Sequence, residues 1–267
     1  MSTRRPVAVP GWDSEAAIVD DAHGVAFIER IPRRPDVRDG LEWECRLLPV
    51  IAPLLPLVVP VPYEIPADAD GPWRVRHQIV PGAAAAPSAL TRRDGLVVGR
   101  FLRSLHDLDL GALSLEARTD NSLGATIARM ETDVVPLLPA ALREQGAGLI
   151  AEAGRTTPFS LAHGDLGPAH LLVEAGVVSG VIDWTDSGLR DPAIDLAWIL
   201  NGTPEPFREG IRVSYGPSVD EENRALVWHR LGPWHEVLHG LDQGKSRYVD
   251  SGLAGVIERL QARQPRT

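Results

Sequence analysis

Two aspartates and a histidine have the residue types and spacing that phosphoryl transfer requires. Asp165 and His170 are five positions apart in the stretch LAHGDLGPAHLLV (161–173), and Asp183 follows the apolar run VSGVI. Phosphoryl transfer uses one carboxylate to orient the attacking hydroxyl and a second to hold the metal ion that bridges the phosphates. We therefore interpret Asp165 and Asp183 as a candidate pair of this kind, provided that the fold brings them together.

Strands are the elements that must position this pair. Two short β-rich runs in HLLVEAGVVSGVIDW (170–184) predict a strand pair, with Asp183 at the end of the second strand. A protein-kinase catalytic loop has the same order: an Asp, a metal-binding polar residue five positions later, and a metal-binding Asp after the following strands. The sequence thus predicts that Asp165 and Asp183 converge.

The first third of the chain predicts an antiparallel sheet with one helix. Apolar stretches separated by turn-forming residues, as in DDAHG, predict strands between residues 6 and 31. Further strands are expected at 58–65 and 73–80. The residues with helical spacing, which predict a helix between these strands, are Leu41, Cys45, Leu48 and Ile51.

The rest of the chain is predicted to be mainly helical, so the fold class is α+β. Residues 96–108 and 121–138 carry apolar residues at helical spacing. The composition of PGAAAAPSA (81–89) is typical of a linker, which divides the chain into lobes of residues 1–80 and 81–267. The apolar run 47–61 contains four prolines and is too short for a bilayer, so we expect a buried connection there.

Composition excludes several classes of function. A formal charge of −9 argues against nucleic-acid binding, which needs a basic face. The single cysteine permits neither an internal disulfide nor a multi-cysteine metal site. The first residues lack the apolar core of a secretory signal. We expect a cytoplasmic monomer that binds neither nucleic acid nor membrane.

On these residues the chain resembles the aminoglycoside/macrolide phosphotransferase family of antibiotic kinases. HGDLGPAHLLV resembles the family's catalytic loop, GVIDWTDSGLRDPAIDLAW its metal-binding segment, and FLRSLHDL a helix of its C-terminal lobe. The resemblance implies a bilobal protein-kinase-like fold, with a small antiparallel-sheet N-lobe and a mainly helical C-lobe. It also implies transfer of the γ-phosphate of GTP or ATP, with Mg²⁺, to a hydroxyl of a cationic small-molecule antibiotic.

The resemblance assigns the polar residues of the motif. Asp165 would be the catalytic base or hydroxyl-orienting group, and Asp183 the main Mg²⁺ ligand. His170 stands where most family members have Asn, a feature similar to the macrolide phosphotransferases. It takes the place of the second metal ligand, although Mg²⁺ prefers oxygen and we expect proximity rather than direct ligation. His163 and Asp195 would support the loop.

The resemblance also assigns a nucleotide site. The phosphate-holding basic residue falls at Arg30, with Glu44 as its ion-pair partner; no lysine precedes Lys245, so an arginine is the available cation. The backbone of Gln78, Ile79 and Val80 would bind the base. The segment PGWDSEAA (10–17) would close over the phosphates.

Several alternatives stay open. HEVLH (235–239) fits the zinc-peptidase pattern H-E-x-x-H, with Glu236 as base. The arginine in place of the family's lysine and the histidine in place of its asparagine also allow a non-catalytic protein that binds a nucleotide or another ligand.

The choice of substrates is also open. For the acceptor, a macrolide is favoured over an aminoglycoside, and for the phosphate donor, GTP is favoured by analogy. Asp186 and the acidic run 219–224 would attract a cation. Four residues at helical spacing are candidates either for an apolar wall of the substrate site or for the protein core. They are Trp198, Ile199, Trp228 and Trp234.

Overall fold

A five-stranded antiparallel sheet forms the N-terminal part of the molecule. The computed structural model describes residues 4–6, 14–21, 23–67, 71–116, 122–155 and 159–262. The strands are β1 (Arg4–Pro6), β2 (Ser14–Asp20), β3 (Ala26–Pro32), β4 (Pro62–Ile65) and β5 (Arg74–Gln78), in the order β1-β2-β3-β5-β4. The β2–β3 hairpin is closed by Asp21, whose Oδ1 accepts the backbone N–H groups of His23 and Val25. The predicted hairpin is therefore confirmed.

One helix, α1 (Pro35–Ile51), packs against this sheet. Of its predicted apolar face, Leu41, Leu48 and Ile51 are fully buried, and Cys45 is half-buried against the cluster that contains Leu41. The expectation of a connection over residues 47–61 is wrong in its first part, because the helix continues through Pro49 to Ile51. The free energy gained by burying Leu47, Leu48 and Ile51 in the core outweighs the loss of the helical hydrogen bond that Pro49, which has no N–H, cannot donate.

The chain enters the C-terminal part through β6 (Ala83–Ala84), which is not part of the five-stranded sheet. The strands β8 (Leu171–Glu174) and β9 (Val177–Val181) form the predicted pair, and β6 joins them in a small sheet by pairing with β8. A second small sheet pairs β7 (Ser160–Ala162) with β10 (Gly188–Arg190). These strands flank the segments that carry Asp165 and Asp183.

Seven helices complete the described part of the chain. They are α2 (Arg92–His106), α3 (Ser122–Arg129), α4 (Ala140–Ala153), α5 (Ala193–Asn201), α6 (Glu205–Ser214), α7 (Val219–Gln243) and α8 (Ser246–Gln261). Capping boxes start two of them: Thr91 with Asp94 at α2, and Ser218 with Glu221 at α7. No helix among the described residues is long and apolar enough to cross a membrane. The architecture confirms the predicted α+β fold, in which a small antiparallel sheet precedes a mainly helical part.

Candidate functional site

The loop after β7 is held by a buried carboxylate at the start of α5. The two oxygens of Asp195 accept the backbone N–H groups of His163 and Gly164, each at 2.8 Å. His106 of α2 donates from Nε2 to the same carboxylate at 3.0 Å. Burial by itself raises the pKa of Asp195, but the hydrogen bond from His106 brings it below its ordinary value. An ionised Asp195 thus tethers the loop to the helical core.

His163 shapes the same loop from within. Its Nδ1 accepts the backbone N–H of Asp165 at 3.3 Å, and its Nε2 donates to the backbone carbonyl of Ile182 at 3.0 Å. Burial lowers the pKa of His163, so its imidazole is neutral, as this pair of bonds requires. The bond to Ile182 connects the loop to the residue just before Asp183. His163 therefore links the backbone of Asp165 to the residue that precedes Asp183.

His170 lies between the two candidate carboxylates. Its Nδ1 donates to the backbone carbonyl of Asp165 at 2.7 Å and lies 3.8 Å from the Asp165 Oδ2 atom. Its Nε2 lies 3.9 Å from the Oδ2 atom of Asp183. The fold thus brings together the three residues that the sequence analysis singled out.

Asp165 combines access to a concave surface with a raised pKa. About half of its side chain, 55%, is exposed. Desolvation in the concave site raises the pKa of Asp165 to about 7; Asp186 and Asp183 also raise it, while His170 opposes the shift. A carboxylate with this pKa can accept a proton near neutral pH.

Asp183 is held ionised in an unusual backbone conformation. Its φ of 67° lies in the left-handed region, which Asp tolerates better than most residues. Its Oδ1 lies 3.4 Å from an Arg30 guanidinium nitrogen. Burial raises the pKa of Asp183, but Arg30 and His170 together bring it below its ordinary value. The carboxylate is therefore charged at neutral pH.

Arg30 connects the sheet, α1 and the Asp183 segment. It donates from Nε to Ser14 Oγ at 3.0 Å, from NH1 to Glu44 Oε1 at 3.3 Å, and from NH2 to Thr185 Oγ1 at 3.0 Å. The predicted partners Arg30 and Glu44 are in contact. Because three acceptors share one planar guanidinium, the group is fixed in orientation.

Glu44 has two further partners that the sequence analysis missed. The hydroxyl of Thr185 donates to its Oε1 at 2.7 Å, and Nε2 of His77 donates to its Oε2 at 2.7 Å. Burial raises the pKa of Glu44, but Arg30 and His77 bring it below its ordinary value. His77 could have been found from the alternation of β5, because Val75 and His77 both face inward. Thr185 carries no such signal.

The predicted base-binding segment follows the last paired residue of β5. Gln78 pairs with Phe27, and its N–H donates to the Val61 carbonyl at 3.1 Å. Ile79 and Val80 lie beyond the paired part of the strand. Of the segment expected over the phosphates, residues 10–13 lie outside the described residues. Its Ser14 lies at the start of β2 and contacts Arg30.

A cavity of about 440 Å³ opens beside Asp165. Asp186, an exposed residue, lies on its wall, as does Arg190. Of the four candidates for an apolar wall, Trp198 of α5 and Trp228 of α7 line the cavity. The other two do not, because Ile199 and Trp234 are fully buried on the core faces of the same helices. We call this space the Asp165 cavity.

The carboxylates of the acidic run 219–224 have partners within the chain. Glu221 caps α7 by accepting the Ser218 N–H at 2.8 Å. Arg212 pairs with Glu222 at 2.9 Å, and Arg224 pairs with Asp220. These carboxylates are engaged by the helix terminus and by neighbouring arginines, while the expected attraction of a cation by this run stays a prediction.

The zinc interpretation of HEVLH gains no support from the geometry. His235 lines the Asp165 cavity, whereas His239 packs edge-on against Tyr248 with ring centroids 5.2 Å apart. Among the residues that the structure describes, no group of three His, Cys, Asp or Glu side chains is arranged to hold a metal ion. The two histidines thus face different surroundings.

The chain is similar to known proteins in both sequence and structure. The profile of the APH family, described as the phosphotransferase enzyme family, matches residues 5–234. A protein of Bacillus subtilis (strain 168), YcbJ, is 51% identical over 38 residues, which are 14% of this chain and 12% of that protein.

Three solved structures share the fold. The GDP complex of aminoglycoside 2'-phosphotransferase-IIIa is 22% identical with a TM-score of 0.78, and the alignment covers 97% of this chain and 92% of that one. The GDP and kanamycin complex of APH(2")-IIIa is 20% identical with a TM-score of 0.79, covering 96% and 92%. Macrolide 2'-phosphotransferase MphH from Brachybacterium faecium, as apoenzyme, is 23% identical with a TM-score of 0.69, covering 99% and 93%. The shared architecture is that of kinase-like phosphotransferases.

Proposed function

Because this chain belongs to the phosphotransferase enzyme family, we propose that it transfers the γ-phosphate of GTP or ATP to a hydroxyl of a small-molecule antibiotic, with a macrolide favoured over an aminoglycoside. The observation that carries the proposal is the placement of His170 between two carboxylates with different environments. Asp165 opens onto a cavity large enough for part of such an acceptor. Asp183 lies beside the Arg30 guanidinium, on the side expected for the nucleotide.

Asp165 is the proposed catalytic residue. Its pKa of about 7 leaves a substantial ionised fraction at neutral pH while keeping it basic enough to accept the hydroxyl proton. The bond from His170 to its backbone carbonyl and the bond from its N–H to His163 limit its movement. Phosphoryl transfer depends mainly on such positioning and on charge neutralisation.

The donor set fits Mg²⁺ as the family implies. Mg²⁺ is commonly held by one or two carboxylates together with substrate phosphates and water, so Asp183 supplies the kind of ligand required. When bound, the ion would neutralise phosphate charge. His170 Nε2 lies 3.9 Å from Asp183 Oδ2. Because Mg²⁺ prefers oxygen ligands, we propose that His170 would lie beside the ion rather than act as its ligand.

Arg30 and Glu44 are the proposed phosphate-holding pair. Glu44 is ionised, fully buried and bonded to His77 and Thr185, so it anchors the guanidinium at a fixed place. We propose that the backbone of Gln78 to Val80 binds the base. Since the Gln78 N–H already donates to Val61, its carbonyl and the groups of Ile79 and Val80 are the candidates. The proposed lobe boundary lies here, near residue 80.

A panel of macrolides, aminoglycosides and other hydroxylated amines, each with GTP and with ATP, tests the reaction. The readout is the mass increase of the acceptor on phosphorylation. We expect Mg²⁺-dependent product that Asp165→Ala abolishes, and weaker metal–nucleotide binding in Asp183→Ala. Asp36→Ala, at an exposed first-turn carboxylate of α1, is the matched control.

A non-catalytic binder is the second candidate, favoured by the arginine at position 30 and the histidine at position 170. It predicts that GTP or ATP raises the melting temperature while no acceptor in the panel gains phosphate. That combined outcome would replace the kinase proposal.

A further inference from the structure

His235 lies on the wall of the Asp165 cavity, where the zinc interpretation of its motif does not explain it. Helix α7 contributes Trp228, Gly232 and His235 to this wall. Their spacing of four and three residues places them on one face of the helix. His235 is an exposed residue, so its imidazole is accessible from the cavity. The next histidine, His239, packs on Tyr248 away from this wall.

The imidazole of His235 has no hydrogen-bond or ion-pair partner among the residues that the structure describes. Its concave surroundings, and then the nearby Arg190, lower the pKa of His235 to about 4. At neutral pH it therefore has one N–H donor and one nitrogen acceptor. A hydroxyl, which both donates and accepts, matches this pair of groups, and a carbonyl matches the donor.

The net charge of the cavity lining can be balanced by one cationic group of a ligand. The described lining residues include two carboxylates, Asp165 and Asp186, and one guanidinium, Arg190. Arg190 is buried, and its Nε donates to the backbone carbonyl of Asp186 at 2.9 Å. With Asp165 ionised the lining therefore carries a net charge of −1, which one ammonium group balances. A second ammonium group would exceed the net negative charge of the lining and would be desolvated without compensation, which costs free energy.

The rest of the wall is apolar. Trp198 and Trp228 present aromatic surface, and Ile194 and Leu123 present aliphatic surface. Such a lining favours a ligand that places ring carbons, rather than further charges, against it.

From these observations we propose that His235 is a specificity-determining residue, which hydrogen-bonds a hydroxyl or carbonyl oxygen of an acceptor that carries one ammonium group rather than several. The inference rests on the proposed function in one respect, namely that the acceptor occupies the Asp165 cavity. It assigns a ligand-binding role to the first histidine of HEVLH and none to the second.

The charge rule is tested with two probes on one scaffold. Calorimetry without nucleotide compares kanamycin with the N-acetylated kanamycin that retains a single amine. We expect the mono-amine to bind at least about tenfold more tightly, because each further ammonium group exceeds the net charge of the lining. Equal affinities, tighter binding of kanamycin, or binding of neither probe would overturn the inference.

Variants of His235 test the residue itself. We expect His235→Leu to weaken binding of the mono-amine about fivefold to tenfold, the effect of one lost hydrogen bond, while His239→Leu leaves it unchanged. His235→Glu adds a carboxylate near Arg190, which makes the net charge of the lining more negative. It should therefore reduce the difference in affinity between kanamycin and the mono-amine. Unchanged affinity in His235→Leu, with the fold intact by thermal unfolding, would contradict the assignment.

Different experimental results would contradict the proposed function and this inference. Selective binding of the mono-amine with no phosphate transfer contradicts the proposed function alone. Phosphate transfer to kanamycin as efficient as transfer to the mono-amine contradicts this inference alone.

Discussion

The Nδ1 atom of His170 donates a 2.7 Å hydrogen bond to the backbone carbonyl of Asp165. This bond directs the Nε2 atom of the same ring toward Asp183, 3.9 Å away. One imidazole thereby positions the backbone of one carboxylate residue and faces the side chain of the other. Its replacement should affect both functions in distinguishable ways.

Substitution of His170 separates these functions. His170→Ala loses the bond to Asp165, and we expect the turnover number to fall about 10-fold to 100-fold, as for groups that orient a metal-site residue. His170→Asn introduces an amide oxygen, which Mg²⁺ prefers, so half-maximal activity should need less Mg²⁺. Steady-state kinetics over a Mg²⁺ series measures both effects. His23→Asn, in the exposed β2–β3 turn, is the control; full activity in His170→Ala would disprove the role.

The raised pKa of Asp165 predicts a pH-dependent rate. We expect kcat/KM for the acceptor to rise about tenfold per pH unit below the pKa of about 7, and to level off above it. Asp165→Asn should lose about 10²-fold to 10⁴-fold in rate together with this limb. A pH–rate profile is the measurement, and a limb near pH 4 would contradict the raised pKa.

The same pKa shift predicts the effect of Asp165 on stability. A carboxyl with a raised folded-state pKa favours folding below its unfolded pKa of about 3.9, and this contribution is lost as pH rises through about 7. Asp165→Asn should therefore melt at a higher temperature than the wild-type protein at pH 8.5, with a smaller difference at pH 5. Thermal unfolding at the two pH values tests the direction. A destabilised variant at pH 8.5 would refute it.

Removal of the Arg30 cation should destabilise the fold and weaken nucleotide binding. Arg30→Met leaves Glu44 buried without its guanidinium partner, so we expect a loss of about 3 to 5 kcal/mol in the free energy of unfolding. Arg30→Lys retains the charge but not the three-way hydrogen bonding, and its effect should be intermediate. Urea unfolding and the KM for nucleotide report the two effects.

A surface arginine provides the comparison for Arg30. Arg92 faces Glu209 at 3.9 Å with both side chains more than half exposed, so Arg92→Met should cost less than about 1 kcal/mol. Similar losses in the free energy of unfolding in Arg30→Met and Arg92→Met would show that the buried contacts of Arg30 with Glu44 contribute no more to stability than an exposed ion pair.

Gly164 should tolerate no side chain. Its φ is +88°, and a Cβ atom there would lie 2.3 Å from the backbone oxygen of Asp186. We expect Gly164→Ala to lose most activity, because the loop must move away from Asp186 and carries Asp165 with it. Gly176→Ala is a matched control, since Gly176 has a φ of +77° but nothing within 4 Å of the added Cβ. It should cost about 1 to 2 kcal/mol in stability through its backbone alone and retain activity.

Local sequence patterns predicted the elements around the site because their causes are local. Turn-forming residues and the alternation of apolar residues determine where β2, β3, β8 and β9 begin and end, as the hairpins show. The helical spacing of Leu41, Leu48 and Ile51 likewise predicted the buried face of α1. The error at 47–51 arose because proline's effect on a helix depends on what its neighbours bury, which is a tertiary property.

Contacts between distant segments could not be predicted in this way. Thr185 bonds to Glu44, 141 positions earlier in the chain, and nothing in the neighbourhood of either residue indicates the other. Helical spacing likewise placed Trp198 and Trp234 on regular faces, yet only the packing of α5 and α7 decides that one lines a cavity and the other is core.

The sequence by itself determined which residues are the candidates for the chemistry, since Asp165, His170 and Asp183 lie within one short segment whose loop and strands form from local interactions. Only the tertiary structure decided how each behaves. The raised pKa of Asp165 and the lowered pKa values of Asp183 and His235 arise from desolvation and from charges on other elements. Desolvation and Coulomb interactions depend on distance in space, and the order of residues along the chain does not specify that distance.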